Sequence, residues 1–179
     1  TLKELLGNTL SKISKVSISP KSYNNKFGVP LSLSNIEQND EYGILEVGMD
    51  KKGEIDYLSK IIEPNVGVIT NINYAHAKNF KSIKQIALAK SEIIKNIRPN
   101  GFVVLNTDDN FFELHKKIAY KKNLKVISFG IKSNKANIKL SSIKPLGKQF
   151  KINISFYIKS IRRIKHQFFF SAKKNILNL

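Results

Sequence analysis

The sequence predicts an α/β fold: a mostly parallel sheet covered by helices on both faces, with an antiparallel hairpin added near the C-terminus. Three observations predict it. Nearly unbroken apolar runs recur at 42–49, 65–72, 101–109 and 124–130, as strands buried on both faces require. Amphipathic segments of helical period lie between them. After residue 131 the texture changes to alternation on either side of Pro145-Leu146-Gly147, the pattern of two paired antiparallel strands.

LKELLGNTLSKI (2–13) repeats Leu5, Leu6, Leu10 and Ile13 at helical spacing, and KVSISP (15–20) reads as a short strand stopped by Pro20. KSYNNKFGVPLSL (21–33) is a polar loop punctuated by Gly28 and Pro30, with a helix predicted from Pro30. YGILEVGM (42–49) is a strand and GEIDYLSKII (53–62) a helix. NVGVITNI (65–72) is a strand, and NFKSIKQIALAKSEIIKNI (79–97) a helix ended by Pro99-Asn100-Gly101. GFVVLNTDD (101–109), NFFELHKKIAYKK (110–122) and LKVISFG (124–130) continue as strand, helix and strand. The final stretch from Ile161 onward carries no clear pattern.

The bulk numbers exclude some classes. A length of 179 residues suits one domain with a proper core. No run of about 18 apolar residues is present, so no membrane span or leader is expected. The absence of cysteine excludes disulfides and thiolate-bound metals. A net charge of +18 invites a nucleic-acid reading. However, only Arg98, Arg162 and Arg163 among the 31 basic residues are arginine, and Lys, Ile and Asn fill 72 of the 179 positions. The lysines are dispersed, which points to a bias of the whole sequence and not to a recognition patch; no specific nucleic acid is expected as a partner.

Lys90 is the exception. At ~100° per residue, Ile83, Ile86, Ala87, Ile93, Ile94 and Ile97 project within about 60° of it, whereas Lys81, Lys84 and Lys95 project away. An ammonium group on an apolar stripe must snorkel out, be paired or be chemically altered. In open parallel sheets, ligands bind at the carboxyl ends of the strands. There lie Glu46, then Asn71, Asn73 and His76, then Asn106, Asp108 and Asp109. Asn-Thr-Asp-Asp is also an ordinary helix N-cap signal, the favoured reading for Asp108 and Asp109. Glu46 and His76 together could hold a hard divalent cation such as Mg²⁺.

The segments SYNNKFGVPLSL, ILEVGMDKKGEI, VGVITNINYAH, ALAKSEI and VVLNTDDN, in this order and spacing, resemble the central ATP-binding domain of the Mur ligases. NN-x-x-GVP and E-x-G-x-x-x-x-GEI are most similar to the member that adds D-alanyl-D-alanine to a UDP-N-acetylmuramoyl peptide. The resemblance implies a P-loop-type fold, a cytoplasmic monomer, and ATP with two Mg²⁺ ions as cofactors. It implies that Lys90 matches a lysine that carbon dioxide converts to an anionic carbamate near the second metal. By the same resemblance Glu46 is a Mg²⁺ ligand and His76 joins it, while Asn24 and Asn25 approach the UDP-muramoyl substrate. Thr1 stands beside the phosphate loop, and Asn175 and Asn178 match nucleotide-side asparagines. Two rivals are a sibling ligase, such as a folylpolyglutamate synthase-like enzyme, and a non-catalytic basic nucleic-acid-binding module.

TLKELL resembles the residues just after the family's phosphate loop. The resemblance therefore implies that residues 1–179 form one central domain, with the first strand, the phosphate loop and the UDP-binding and C-terminal domains outside it. The 179-residue chain is expected to be inactive alone. An ATPase assay with no substrate-stimulated turnover agrees with this expectation, and clear stimulated turnover contradicts it.

Overall fold

The computed structural model describes residues 2–74, 79–146, 149–158 and 161–170. The chain divides into two compact units: Thr1–Asn65 with Asn73–Gly101, and Val66–Ile72 with Phe102–Leu179. The strands sort into a parallel pair in the first unit and a six-stranded sheet in the second.

In the first unit, α1 (Leu2–Leu10) leads into β1 (Val16–Ile18), α2 (Gly28–Ser34), β2 (Tyr42–Ile44) and α3 (Glu54–Ile62). β1 and β2 pair in parallel, with Val16 opposite Tyr42 and Ile18 opposite Ile44. α1 departs from the sequence reading. Leu5 and Leu6 are exposed and so is Ile13, whereas Lys3 and Gly7 face inward. The cause is a close approach: a Cβ at Gly7 would lie 2.0 Å from Ile18 Cδ1 and 2.7 Å from its Cγ1, so glycine lets the helix sit against the Ile18 side chain without displacing it. α2 starts at Gly28, two residues earlier than predicted, because Asn25 Oδ1 accepts hydrogen bonds from the N–H groups of Phe27 (3.0 Å) and Gly28 (2.9 Å).

The helix predicted over 79–97 is two helices, α4 (Ile83–Lys90) and α5 (Glu92–Lys95). Ser82 starts α4 by accepting from Gln85 N–H. The junction is at Ser91, whose Oγ donates back to Leu88 O at 2.7 Å, a competition with the helical ladder that bends or stops helices. Of the predicted stripe, Ile86, Ala87, Ile94 and Ile97 are buried and Ile83 and Ile93 half-buried, while Lys81, Lys84 and Lys95 are exposed; Ala89, outside the stripe, is buried as well.

In the second unit, β3 (Val66–Ile69), β4 (Phe102–Asn106), β5 (Lys125–Gly130) and β6 (Ile138–Leu146) pair in parallel in that order. α6 (Phe112–Lys121) supplies the crossover from β4 to β5 and buries His115 and Ala119. β7 (Gln149–Ile158) returns antiparallel to β6, the predicted hairpin, with Leu140 and Ser142 flanking a register shift. β8 (Ile161–Phe170) then pairs antiparallel with β7, so the patternless tail begins as a third strand of a meander.

The N-cap reading for Asp108 and Asp109 holds only in part. Asp109 accepts from Phe111 N–H (2.8 Å) at the entry to α6, and its other oxygen takes Ile72 N–H (2.6 Å), just after β3. Asp108 instead accepts from the N–H groups of Ile131 (2.6 Å), Lys132 (3.1 Å) and Ser133 (3.4 Å), holding the turn after β5. Burial opposes ionisation of Asp108, but these three donors outweigh it and keep its carboxyl below the usual carboxylate range. A depressed folded-state value stabilises the fold above the unfolded-state pKa, and the contribution is lost as pH falls through the folded-state value. Asp108→Asn is therefore expected to cost about 1–3 kcal/mol near neutral pH. In thermal melts the gap from wild type closes as pH drops below about 4; a gap independent of pH would contradict this assignment.

Candidate active site at the end of the parallel pair

β2 stops at Ile44 and the chain runs on through Glu46 to Gly48. Glu46 is held from both backbone and side chain. Its N–H donates to Ser19 Oγ (3.2 Å), and its Oε1 accepts from Asn24 Nδ2 (3.1 Å). Asn24 also accepts Gly48 N–H at its carbonyl (2.7 Å). A Cβ at Gly48 would sit 2.9 Å from the Asn24 carboxamide, so a side chain there would push Asn24 away from Glu46. Asn24 and Glu46 are both half-buried. The result is one carboxylate oriented by one amide, just beyond the carboxyl end of a parallel strand pair.

Asn25 is an exposed residue whose side-chain oxygen is engaged in starting α2. Its neighbour Asn24, not Asn25, meets Glu46. Lys90 is half-buried as the last residue of α4. Asn71 and Asn73 are exposed. Thr1, His76, Asn175 and Asn178 lie outside the described residues. Among the described residues no group of three or more His, Asp or Glu comes together.

Sequence reasoning missed a second acidic residue. Glu92 is only 4% exposed, and its carboxylate lies on the N-terminus of α3. Both its oxygens accept Gly53 N–H at 3.0 Å, and Oε2 also takes Asp56 N–H at 3.2 Å. One turn further on, Asn96 Nδ2 donates to Asp56 O (3.1 Å) and Ser59 Oγ (2.9 Å). These contacts fix α5, and Lys90 just ahead of it, against the helix that follows the Glu46 loop. An unbroken helix would put Glu92 about 200° from Lys90, on the solvent side; the break at Ser91 turns it inward. Gly53, with φ +92°, adopts the left-handed geometry that presents its N–H, a conformation few other residues tolerate. The preceding loop is tied down by Glu54, which accepts from Asp50 N–H (2.6 Å) and Lys51 N–H (3.0 Å). Those two bonds lower its carboxyl pKa.

The Asn24 amide thus steers the Glu46 carboxylate beyond a strand end, and Glu92 pins the helix that follows Lys90 to α3. The model of the Mur ligase middle domain matches residues 1–179. The chain belongs to the Mur ligase family. It is 40% identical over 139 residues to UDP-N-acetylmuramoyl-tripeptide–D-alanyl-D-alanine ligase of Buchnera aphidicola subsp. Acyrthosiphon pisum, covering 77% of this chain and 29% of that one. It is 42% identical over 132 residues to the enzyme of the same name from Borreliella burgdorferi, covering 72% and 28%. A crystal structure of MurF from Acinetobacter baumannii superimposes with a TM-score of 0.80 at 30% identity, over 94% of this chain and 36% of that one. The chain thus spans less than half the length of these relatives. In this Mur ligase domain, Glu92→Ala leaves the Gly53 and Asp56 N–H groups without their acceptor, and should cost ~2–4 kcal/mol in urea unfolding. Lys95→Ala on the exposed face of the same helix should stay within about 0.5 kcal/mol; equal losses for the two variants would contradict the pinning role.

Proposed function

We propose that this chain is the ATP-binding middle domain of the ligase that joins D-alanyl-D-alanine to UDP-N-acetylmuramoyl tripeptide in peptidoglycan precursor synthesis. The observation that carries the reading is the Asn24–Glu46 pair beyond β2, within a family match that spans the chain. The relatives named for this reaction support the choice over a sibling ligase. In the proposed reaction ATP phosphorylates the substrate carboxylate to an acyl phosphate, and the dipeptide amine then displaces phosphate.

The residues fit a hard divalent cation. Glu46 offers a carboxylate oxygen, the donor Mg²⁺ prefers. Asn24 occupies Oε1, and among the described residues Oε2 keeps its lone pairs. Glu46 and His76 would hold Mg²⁺, and Lys90, as a carbamate, would add an anionic oxygen for a second ion. Bound there, Mg²⁺ neutralises charge that builds on the transferring phosphoryl group. Asn24 orients the Glu46 carboxylate and, with Asn25, borders the muramoyl substrate. No helix among the described residues is long and apolar enough to cross a membrane. We assign the work to a monomer in the cytoplasm, where ATP is available.

Glu46→Gln and Lys90→Met in the intact ligase are each expected to lower kcat by at least ~100-fold, the scale of one lost electrostatic contact to developing charge. If Glu46→Gln kept wild-type turnover, the metal-site reading would fail. If the intact enzyme turned over ATP with glutamate and a folate, and not with the dipeptide, the substrate assignment would fail.

A further inference from the structure

Lys3 is a lysine that the proposed reaction does not use, yet it is 5% exposed. Its Nζ donates to the carbonyls of Ser19 and Lys21, each at 2.5 Å, and pairs with the exposed carboxylate of Glu4 at 3.3 Å. Both carbonyls belong to the turn that leaves β1 and delivers Asn24. Lys21 in that turn sits at φ +44°, a left-handed geometry that costs a residue with a Cβ and needs the surroundings to hold it. Ser19 is equally committed. Its N–H donates to Ile44 O (2.9 Å), continuing the β1–β2 ladder, and its Oγ takes Glu46 N–H. A continuous path therefore runs from the Lys3 ammonium through the Ser19–Lys21 turn to both members of the Asn24–Glu46 pair.

A methionine-like side chain would fill the same space and rest on the same face of α1. What the ammonium adds is a pair of charge-assisted hydrogen bonds that converge two backbone carbonyls on one point. A buried cation is costly unless its donors are met, so the turn has one favourable arrangement with Lys3 in place. We propose that Lys3 is a positioning residue: by gathering the Ser19 and Lys21 carbonyls it sets the turn that aims Asn24 at Glu46. Its importance for catalysis rests on the functional reading above; its effect on the geometry does not.

Amide hydrogen exchange on the 179-residue chain separates positioning from general stability. In Lys3→Met the N–H groups of Glu46 and Gly48, which bond to Ser19 and Asn24, should exchange at least ~10-fold faster, while those of Leu58 and Ser59 in α3 of the same unit keep wild-type rates. Lys3→Gln, which keeps a neutral NH₂ group with two N–H donors but loses the charge and some reach, should fall between the two and serves if Lys3→Met does not fold. Acceleration that is equal across the unit would make Lys3 a fold stabiliser only, and unchanged rates at Glu46 and Gly48 would remove any role; either result overturns the proposal. Mn²⁺ binding supplies the functional arm. Lys3→Met should weaken it several-fold, as Glu46→Gln should abolish it. Local acceleration with Mn²⁺ affinity unchanged from wild type would overturn the functional part of the proposal. Wild-type chain that binds Mn²⁺ no better than Glu46→Gln would instead overturn the metal reading of Glu46 while the exchange data still judge Lys3.

Discussion

A carboxylate withdrawn from water must meet donors, and for Glu92 the donors are the Gly53 and Asp56 N–H groups at the start of α3. That single requirement fixes much of the first unit. α5 can approach α3 only where those N–H groups point, and the left-handed turn at Gly53 is what makes one of them point there. The negative charge also sits at the positive end of the helix, where it is favoured. Lys90 ends α4 two residues before this anchor, so its backbone position is inherited from it.

The same rule, that a polar group taken from solvent must be answered, is repeated after three of the parallel strands. Asp109 answers Ile72 after β3, Asp108 answers the turn after β5, and Ser19 answers Glu46 after β2. Most of these polar residues are spent on the fold. Glu46 differs: among the described residues only one of its oxygens is engaged, by Asn24, and in the proposed reading the other meets the metal. That difference separates a structural carboxylate from a candidate ligand more sharply than position at a strand end does.

The elements of the fold were legible in the sequence because their patterns are local: unbroken apolar runs for β3, β4 and β5, helical period for α3 and α6, alternation for β6 and β7. What escaped depends on tertiary contact. The apolar side of α1 suggested an inward face, but the close approach at Gly7 turned Lys3 inward instead. Ser91 gave no warning that it would divide one helix into two and rotate Glu92 from solvent to core. β8 has strand-forming residues but no clean alternation, and only its pairing with β7 declares it. Glu46, Asn24 and Lys90 were singled out as residues; the amide that orients the carboxylate, and the two clamps beneath it, were visible only in three dimensions.

In the proposed reaction Glu46 and Lys90 belong to one two-metal centre, in which occupancy of the ion at the Lys90 carbamate depends on the ion that Glu46 holds. This central claim is tested most directly by equilibrating the chain with ¹³C-bicarbonate and following the carbamate carbon by NMR as Mn²⁺ is added. The account predicts a carbamate resonance lost in Lys90→Met, broadened by substoichiometric Mn²⁺ in the wild type, and protected from that broadening in Glu46→Gln. A Lys90 carbamate that stays sharp in the presence of bound Mn²⁺ would contradict it.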